Sequence, residues 1–189
     1  MRSALPPPGA VLLLIDLQRA IDHPSWGVRN NPHAELQVGR LLALWRNHGW
    51  PVWHVRHDSD NPESLYRPGQ PGHEFKAEFT PLTGEPVIPK KTNSAFIRTD
   101  LEYRLRTGSH DTLVVAGVIT NNSVEATVRM AGNLGFRTYL VADGCFTFGR
   151  PDWSGTPRSA EDIHAMSLAN LDSEYCTVIA ADALLGASS

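Results

Sequence analysis

Five short stretches of the chain are apolar at nearly every position: VLLLI at 11–15, PVWHV at 51–55, TLVVAG at 112–117, TYLVAD at 138–143 and CTVIAA at 176–181. Runs that are apolar on both faces read as parallel strands covered by helices on either side. Between them, apolar residues recur at helical spacing over 34–48 (Leu36, Leu41, Leu42, Trp45), 99–106, 124–134 and 159–171. Strand alternating with helix predicts β-α-β units with right-handed crossovers. The expected fold is therefore α/β: a three-layer α/β/α, doubly wound domain around a mostly parallel sheet of about six strands.

Local signals place the helix ends. Thr99 followed by Asp100, and Ser159 with Glu161 and Asp162, supply capping oxygens and acids at helix N-termini, while Gly49, Gly108 and Gly135 close helices. The polar, Pro- and Gly-rich stretch 57–85 is too long for a plain connection and is a candidate substrate-covering loop. Sites in doubly wound sheets gather beyond the carboxyl ends of the strands. That rule makes suspects of Asp16, of His57 and Asp58, of 118–123 and of 143–148.

The chain of 189 residues fits a single domain, 1–189, and carries a net charge of −3 with Lys and Arg scattered along it. No basic stripe suits a nucleic acid, and no apolar run approaches the ~20 residues of a membrane span. Residues 1–10 (MRSALPPPGA) hold one Arg and a Pro run but no apolar core of signal-peptide length, so a cytoplasmic location is expected. Cys145 and Cys176 match neither a zinc module nor a redox pair and read as small buried hydrophobes.

The most informative stretch is VVAGVITNNSVEATVRMAGNLGF, a buried strand passing through Gly117 into a turn and directly into an amphipathic helix. Unpaired N–H groups at a helix start favour negative charge, so an oxyanion could be held beside Ser123. Gly117, Val118, Thr120, Asn121, Val124, Glu125 and Thr127 fit the pattern GVxTNxCVExT. With LLLIDLQ upstream, PKKTNSAFIRTDLE in the middle and VADGCFTF and SAEDIHAMSLANL downstream, nearly the whole chain resembles the isochorismatase-like superfamily, in its cysteine-hydrolase branch.

The resemblance implies a catalytic set of Asp16, Lys90 and Ser123, an oxyanion hole from the backbone N–H groups of Ile119 and Ser123, and a non-proline cis bond between Val118 and Ile119. The family's spacing selects Lys90, although a one-residue slip would exchange it for Lys91. It further implies an amidohydrolase that cleaves a small-molecule carboxamide or related C–N bond through an acyl-enzyme, and a homodimer or homotetramer. No cofactor is expected. Independently of the family, a thiolate near a lysine and a helix N-terminus is nucleophilic at neutral pH, and a neighbouring carboxylate can move protons.

Position 123 departs from that pattern, because a serine hydroxyl is far harder to ionise than a thiol. Three readings stand: an engineered Cys-to-Ser replacement, a natural serine variant, and a non-nucleophilic branch of the isochorismatase type acting on a vinyl ether. A catalytically silent small-molecule-binding homologue is the different-class alternative. The G-x-S-x-G elbow and the G-x-G-x-x-G fingerprint are both missing. His54 and His57, three apart on a strand, face opposite sides, and no metal site is expected. His57 reads as pocket wall and His164 as structural, while Trp26, Phe75, Phe79 and Trp153 are loop aromatics that could enclose a substrate.

Overall fold

The computed structural model describes residues 5–186. Met1 to Ala4, part of the stretch read for a signal, lie outside the described residues, as do 187–189. Along the chain run β1 (Val11–Ile15), α1 (Ala34–Asn47), β2 (Val52–His57), β3 (Val87–Lys90), α2 (Leu101–Thr107), β4 (Thr112–Val118), α3 (Glu125–Asn133) and β5 (Arg137–Phe146). A short antiparallel ribbon of β6 (Arg150–Pro151) and β7 (Pro157–Arg158) follows, then α4 (Ala160–Leu171), β8 (Thr177–Ile179) and α5 (Ala181–Gly186). The main sheet has six strands, all parallel, in the order β3-β2-β1-β4-β5-β8.

Alternation along β1 and β4 sends side chains into two cores. Leu12, Leu14, Val114 and Ala116 pack with Leu41 and Trp45 of α1 and Leu184 of α5. Leu13, Ile15, Leu113 and Val115 pack on the opposite face with Leu101 and Leu105 of α2, Val128 of α3 and Leu171 of α4. Both faces of the sheet are thus sealed, which is why the central strands carry almost no polar residue.

Two elements differ from the sequence expectation. β3 is absent from the apolar runs because it is a four-residue edge strand interrupted by Pro89, a residue tolerated only where one side of the ladder is open. β5 continues to Phe146 instead of stopping at Asp143: Leu140 pairs with Val115 but Cys145 pairs with Gly117, so residues 141–144 bulge out of register. Asn31 donates to the carbonyls of Ala142 (3.0 Å) and Cys145 (2.7 Å) around this bulge. Asp143 accepts the Ala181 N–H at 2.8 Å and so serves α5, not the crevice where its position at a strand end had placed it.

Among the described residues no helix is long and apolar enough to cross a membrane. The long stretch after β2 is anchored to the body by polar contacts. Arg46 of α1 holds both carboxylate oxygens of Glu85 (2.7 and 2.8 Å), and buried His54 meets the same carboxylate at 2.8 Å.

Candidate active site

Strand order reverses between β1 and β4: the chain builds outward from β1 through β2 to β3, then crosses back to lay β4 on the other side of β1. That reversal opens a crevice at the carboxyl ends. Register decides which side chains reach it. Ile15 pairs with both Val55 and Gly117, and His57 pairs with Lys90, so Asp16, His57, Lys90 and the turn after Val118 emerge together. Gly117 has φ of 126°, and a Cβ there would stand 2.2 Å from the Ile15 carbonyl oxygen. Only glycine allows this approach of β4 to β1.

Lys90 is the hub. Its buried ammonium lies 2.7 Å from Asp16 Oδ2, 3.1 Å from Ser123 Oγ and 3.1 Å from His57 Nδ1. An ammonium has three N–H donors and no acceptor, so these three contacts use its full capacity and make His57 Nδ1 an acceptor. Lys91 turns outward instead, pairing with Asp60 at 2.7 Å, and its side chain is 65% exposed. Asp16 sits in left-handed backbone (φ 51°), with Oδ2 on Lys90 and Oδ1 buried without a hydrogen-bond partner among the described residues. A buried carboxylate oxygen left unpaired is costly, and it marks a place for a donor to arrive.

Ser123 lies in a π-helical turn, Thr120–Val124, that joins β4 to α3. The Val118–Ile119 peptide bond is cis. Other residues of the TNNSVEAT segment support this turn: Thr120 Oγ1 hydrogen bonds with His164 Nδ1 at 2.9 Å, Asn121 accepts from Thr147 Oγ1 at 2.5 Å, and Thr127 Oγ1 accepts the Ala95 N–H at 3.0 Å. The last contact ties the SAF segment, just beyond Lys90, to the helix that follows Ser123.

Above the hub is a cavity of about 170 Å³ bordered by Asp16, His57 and Ser123, by Trp26 and Tyr66, and by Ile119, Asn93 and Asn122. Trp26 is fixed as a flat wall, its indole N–H donating to Ala20 O at 2.9 Å and its ring stacked on Phe148 at 5.6 Å. A larger and more open depression, about 820 Å³, runs along α4 past Ile163 and Met166. It holds none of the hub residues, and chemistry favours the smaller cavity.

Trp26 and His57 therefore border the cavity, but the other aromatics chosen from the sequence do not. Phe79 is fully buried, carried by the loop's second 3-10 turn into the core that Leu41 and Trp45 of α1 share with β1. Trp153 is 100% exposed at the tip of the β6–β7 ribbon. Phe75 packs edge-on against His54, 5.7 Å between ring centres, and bridges Gln18 through the backbone. Tyr66, Asn93 and Asn122 carried no signal, because nothing local distinguishes a cavity-facing Tyr or Asn from one that faces solvent. Among the described residues no group of three or more His, Cys, Asp or Glu side chains converges as metal ligands would.

Burial sets the titration of the neighbours. It pushes the His57 imidazole below its ordinary value, and the Lys90 charge adds to the effect. Burial, with the charges of Asp16 and Asp22, raises the Tyr66 phenol well above its usual range. Both side chains are thus neutral hydrogen-bonding groups at neutral pH.

Residues 10–183 match the model of the isochorismatase domain. The chain belongs to the isochorismatase family. The family protein YrdC of Bacillus subtilis is 41% identical over 174 residues, covering 92% of this chain and 93% of its own. A crystal structure of an isochorismatase-family protein from Chromobacterium violaceum is 58% identical with a TM-score of 0.93, covering 100% of this chain and 95% of that one. Nicotinamidase 3 of Arabidopsis thaliana is a more distant relative, 26% identical over 188 residues, covering 93% of this chain and 86% of its own. The six-stranded parallel sheet and flanking helices are those of the isochorismatase-like α/β fold.

Proposed function

We propose that this isochorismatase-family protein is an amidohydrolase, cleaving a carboxamide or related C–N bond of a small molecule through an acyl-enzyme on residue 123, with neither metal nor organic cofactor. The single observation that carries the reading is the Lys90 ammonium bridging Asp16 Oδ2 and Ser123 Oγ at 2.7 and 3.1 Å. A relative named for an amide substrate, the Arabidopsis nicotinamidase, supports it.

In this reading the residue 123 nucleophile attacks the amide carbonyl carbon while its proton passes to Asp16. In the same reading the oxyanion is received by the N–H groups of Ile119 and Ser123, a role supported by both residues lining the cavity. Asp16 returns the proton to the departing nitrogen, and ammonia leaves. Water, deprotonated by Asp16, then releases the acid and regenerates the side chain. The fixed positive charge of Lys90 stabilises the anionic form of the nucleophile, a task that a thiol of pKa near ~8.5 meets more easily than a hydroxyl. Ser123 is read as a replacement for a cysteine, so restoring the thiol should speed turnover.

The test is ammonia release from a panel of small amides by the protein and its Ser123→Cys variant, side by side. A gain of about 100-fold or more with the thiol is expected. Equal activity would overturn the replacement reading, and no ammonia from either protein would overturn the amidohydrolase and direct the search to vinyl ethers. The proposal also includes a homodimer or homotetramer in the cytoplasm, checked by sedimentation and by cell fractionation.

A further inference from the structure

The hub leaves one side of His57 uncommitted. Nδ1 receives the Lys90 ammonium, so the proton of the neutral ring sits on Nε2. Nε2 makes no hydrogen bond to any described residue, and the ring borders the cavity, standing edge-on to Tyr66 with 5.5 Å between ring centres. The backbone beneath is clamped by Gln18, whose fully buried amide accepts the His57 N–H (2.7 Å) and donates to the His57 carbonyl (3.1 Å) and the His73 carbonyl (2.8 Å). A side chain held this firmly with a free donor is built to meet a ligand.

The charges around it narrow what the ligand is. Among the described residues no Lys or Arg borders the cavity, and Lys90 beneath it has all three donors engaged. The free charged atom is Asp16 Oδ1, an acceptor. A carboxylate entering here would lose its water, find the Lys90 ammonium already committed to three partners, and stand near a second carboxylate. An amide NH₂ meets the opposite situation, since it brings the donors that Asp16 Oδ1 lacks.

Resting on the amidohydrolase reading, we propose that His57 is a substrate-contacting, specificity-determining residue, whose Nε2–H donates to a second acceptor on an uncharged amide, and that the cavity rejects the anionic counterpart. Gln18 is its positioning residue. With the reacting carbonyl at the N–H groups of Ile119 and Ser123 and the NH₂ at Asp16, the substrate carries a further oxygen or nitrogen acceptor on the side facing His57.

Fumaramide and fumaramate test this, because they match in size and planarity and differ by one charge. With the Ser123→Cys variant, kcat/KM for fumaramide should exceed that for fumaramate by at least ~30-fold. Adding His57→Phe should raise KM for fumaramide about tenfold while kcat changes far less, and His57→Gln, which keeps an N–H donor, should recover most of the loss. A residue that only maintained the fold would show no such KM-against-kcat split and no rescue by Gln. Calorimetric titration of the Ser123→Ala variant with the same two compounds reads the preference without chemistry, so it stands even if no amide is hydrolysed. Equal handling of the two compounds, binding of neither, or a His57→Phe variant with unchanged KM and affinity would overturn the inference. Hydrolysis of both amides equally well would do so while leaving the amidohydrolase intact.

Discussion

Replacing Lys90 by methionine would keep the packed stem and remove the ammonium. The side chain is 0% exposed and its Asp16 partner 5%, with 2.7 Å between the charged atoms. Asp16 Oδ1 already has no partner among the described residues, so the substitution removes the Lys90 hydrogen bond from a buried carboxylate that has none to spare. Breaking a buried pair from one side costs about 3–5 kcal/mol, because the surviving charge is left without compensation. For a domain of this size each kcal/mol lowers Tm by about 2–4 °C, so the expected drop is roughly 6–20 °C. Urea unfolding followed by tryptophan fluorescence and far-UV circular dichroism supplies the free energy, with the m-value showing whether the transition stays two-state. The decisive comparison is Asp16→Asn/Lys90→Met, in which neither charge remains. It should be more stable than Lys90→Met alone, with a coupling of about 2 kcal/mol or more. A Lys90→Met loss below about 1 kcal/mol, or a double variant whose loss is the sum of the singles, would refute the view that the hub is a mutually dependent buried pair.

Three further outcomes are expected. Burial pushes both native thiols, Cys145 and Cys176, up to about 12, so neither should react with a thiol reagent at pH 8 in the folded protein, whereas Ser123→Cys should add one reactive thiol; a native thiol that titrates at once would contradict this. Gly117→Ala should destabilise by about 3–5 kcal/mol, since a Cβ at φ 126° meets the Ile15 carbonyl oxygen at 2.2 Å, and a loss under 1 kcal/mol in denaturant titration would mean that β4 and β1 can separate freely. Burial lowers the folded-state pKa of His54, His57 and His164, with the Glu85 contact opposing it at His54. The unfolded chain therefore binds more protons below about pH 6.5, and stability should fall as pH drops from 7 toward 5. At Glu85, burial would raise the carboxyl, but hydrogen bonds from Arg46, the Leu82 N–H and His54 hold it down at about 2, so its contribution should be lost later, below about pH 4.5. Urea midpoints unchanged between pH 8 and 5 would contradict the histidine assignment.

Much of the fold is written in local pattern. The runs at 11–15 and 112–117 are apolar because both faces of a central parallel strand are covered, and that requirement is visible without knowing what covers them. The helices end at glycines such as Gly49 and Gly135, whose positive φ values of 65° and 83° are a local demand. β3 and the β5 bulge escaped because their pairing depends on partners elsewhere. Pro89 argues against a strand until β2 supplies the pairing, and the bulge at 141–144 is bridged into one strand only because Cys145 and Phe146 pair again with Gly117 and Val118 of β4.

At the site, the strand-end rule and the motif pattern singled out Asp16, Lys90, Ser123 and His57 as residues, but not their geometry. Lys90 and Asp16 are 74 positions apart, and only the register of β1, β2 and β3 brings Nζ within 2.7 Å of Oδ2 and gives His57 Nδ1 the third hydrogen bond. The same holds for the aromatics, which one loop-rich sequence presents as equals. Phe79 is drawn into the core between the sheet and α1, Trp153 is carried outward on a two-stranded ribbon, and Trp26 alone of these stands on the cavity wall. Sequence by itself determines what each segment prefers to be. Which side chains meet, and which charge is left with a free oxygen, is decided by strand order and register, because those contacts join positions whose separation along the chain leaves no local trace.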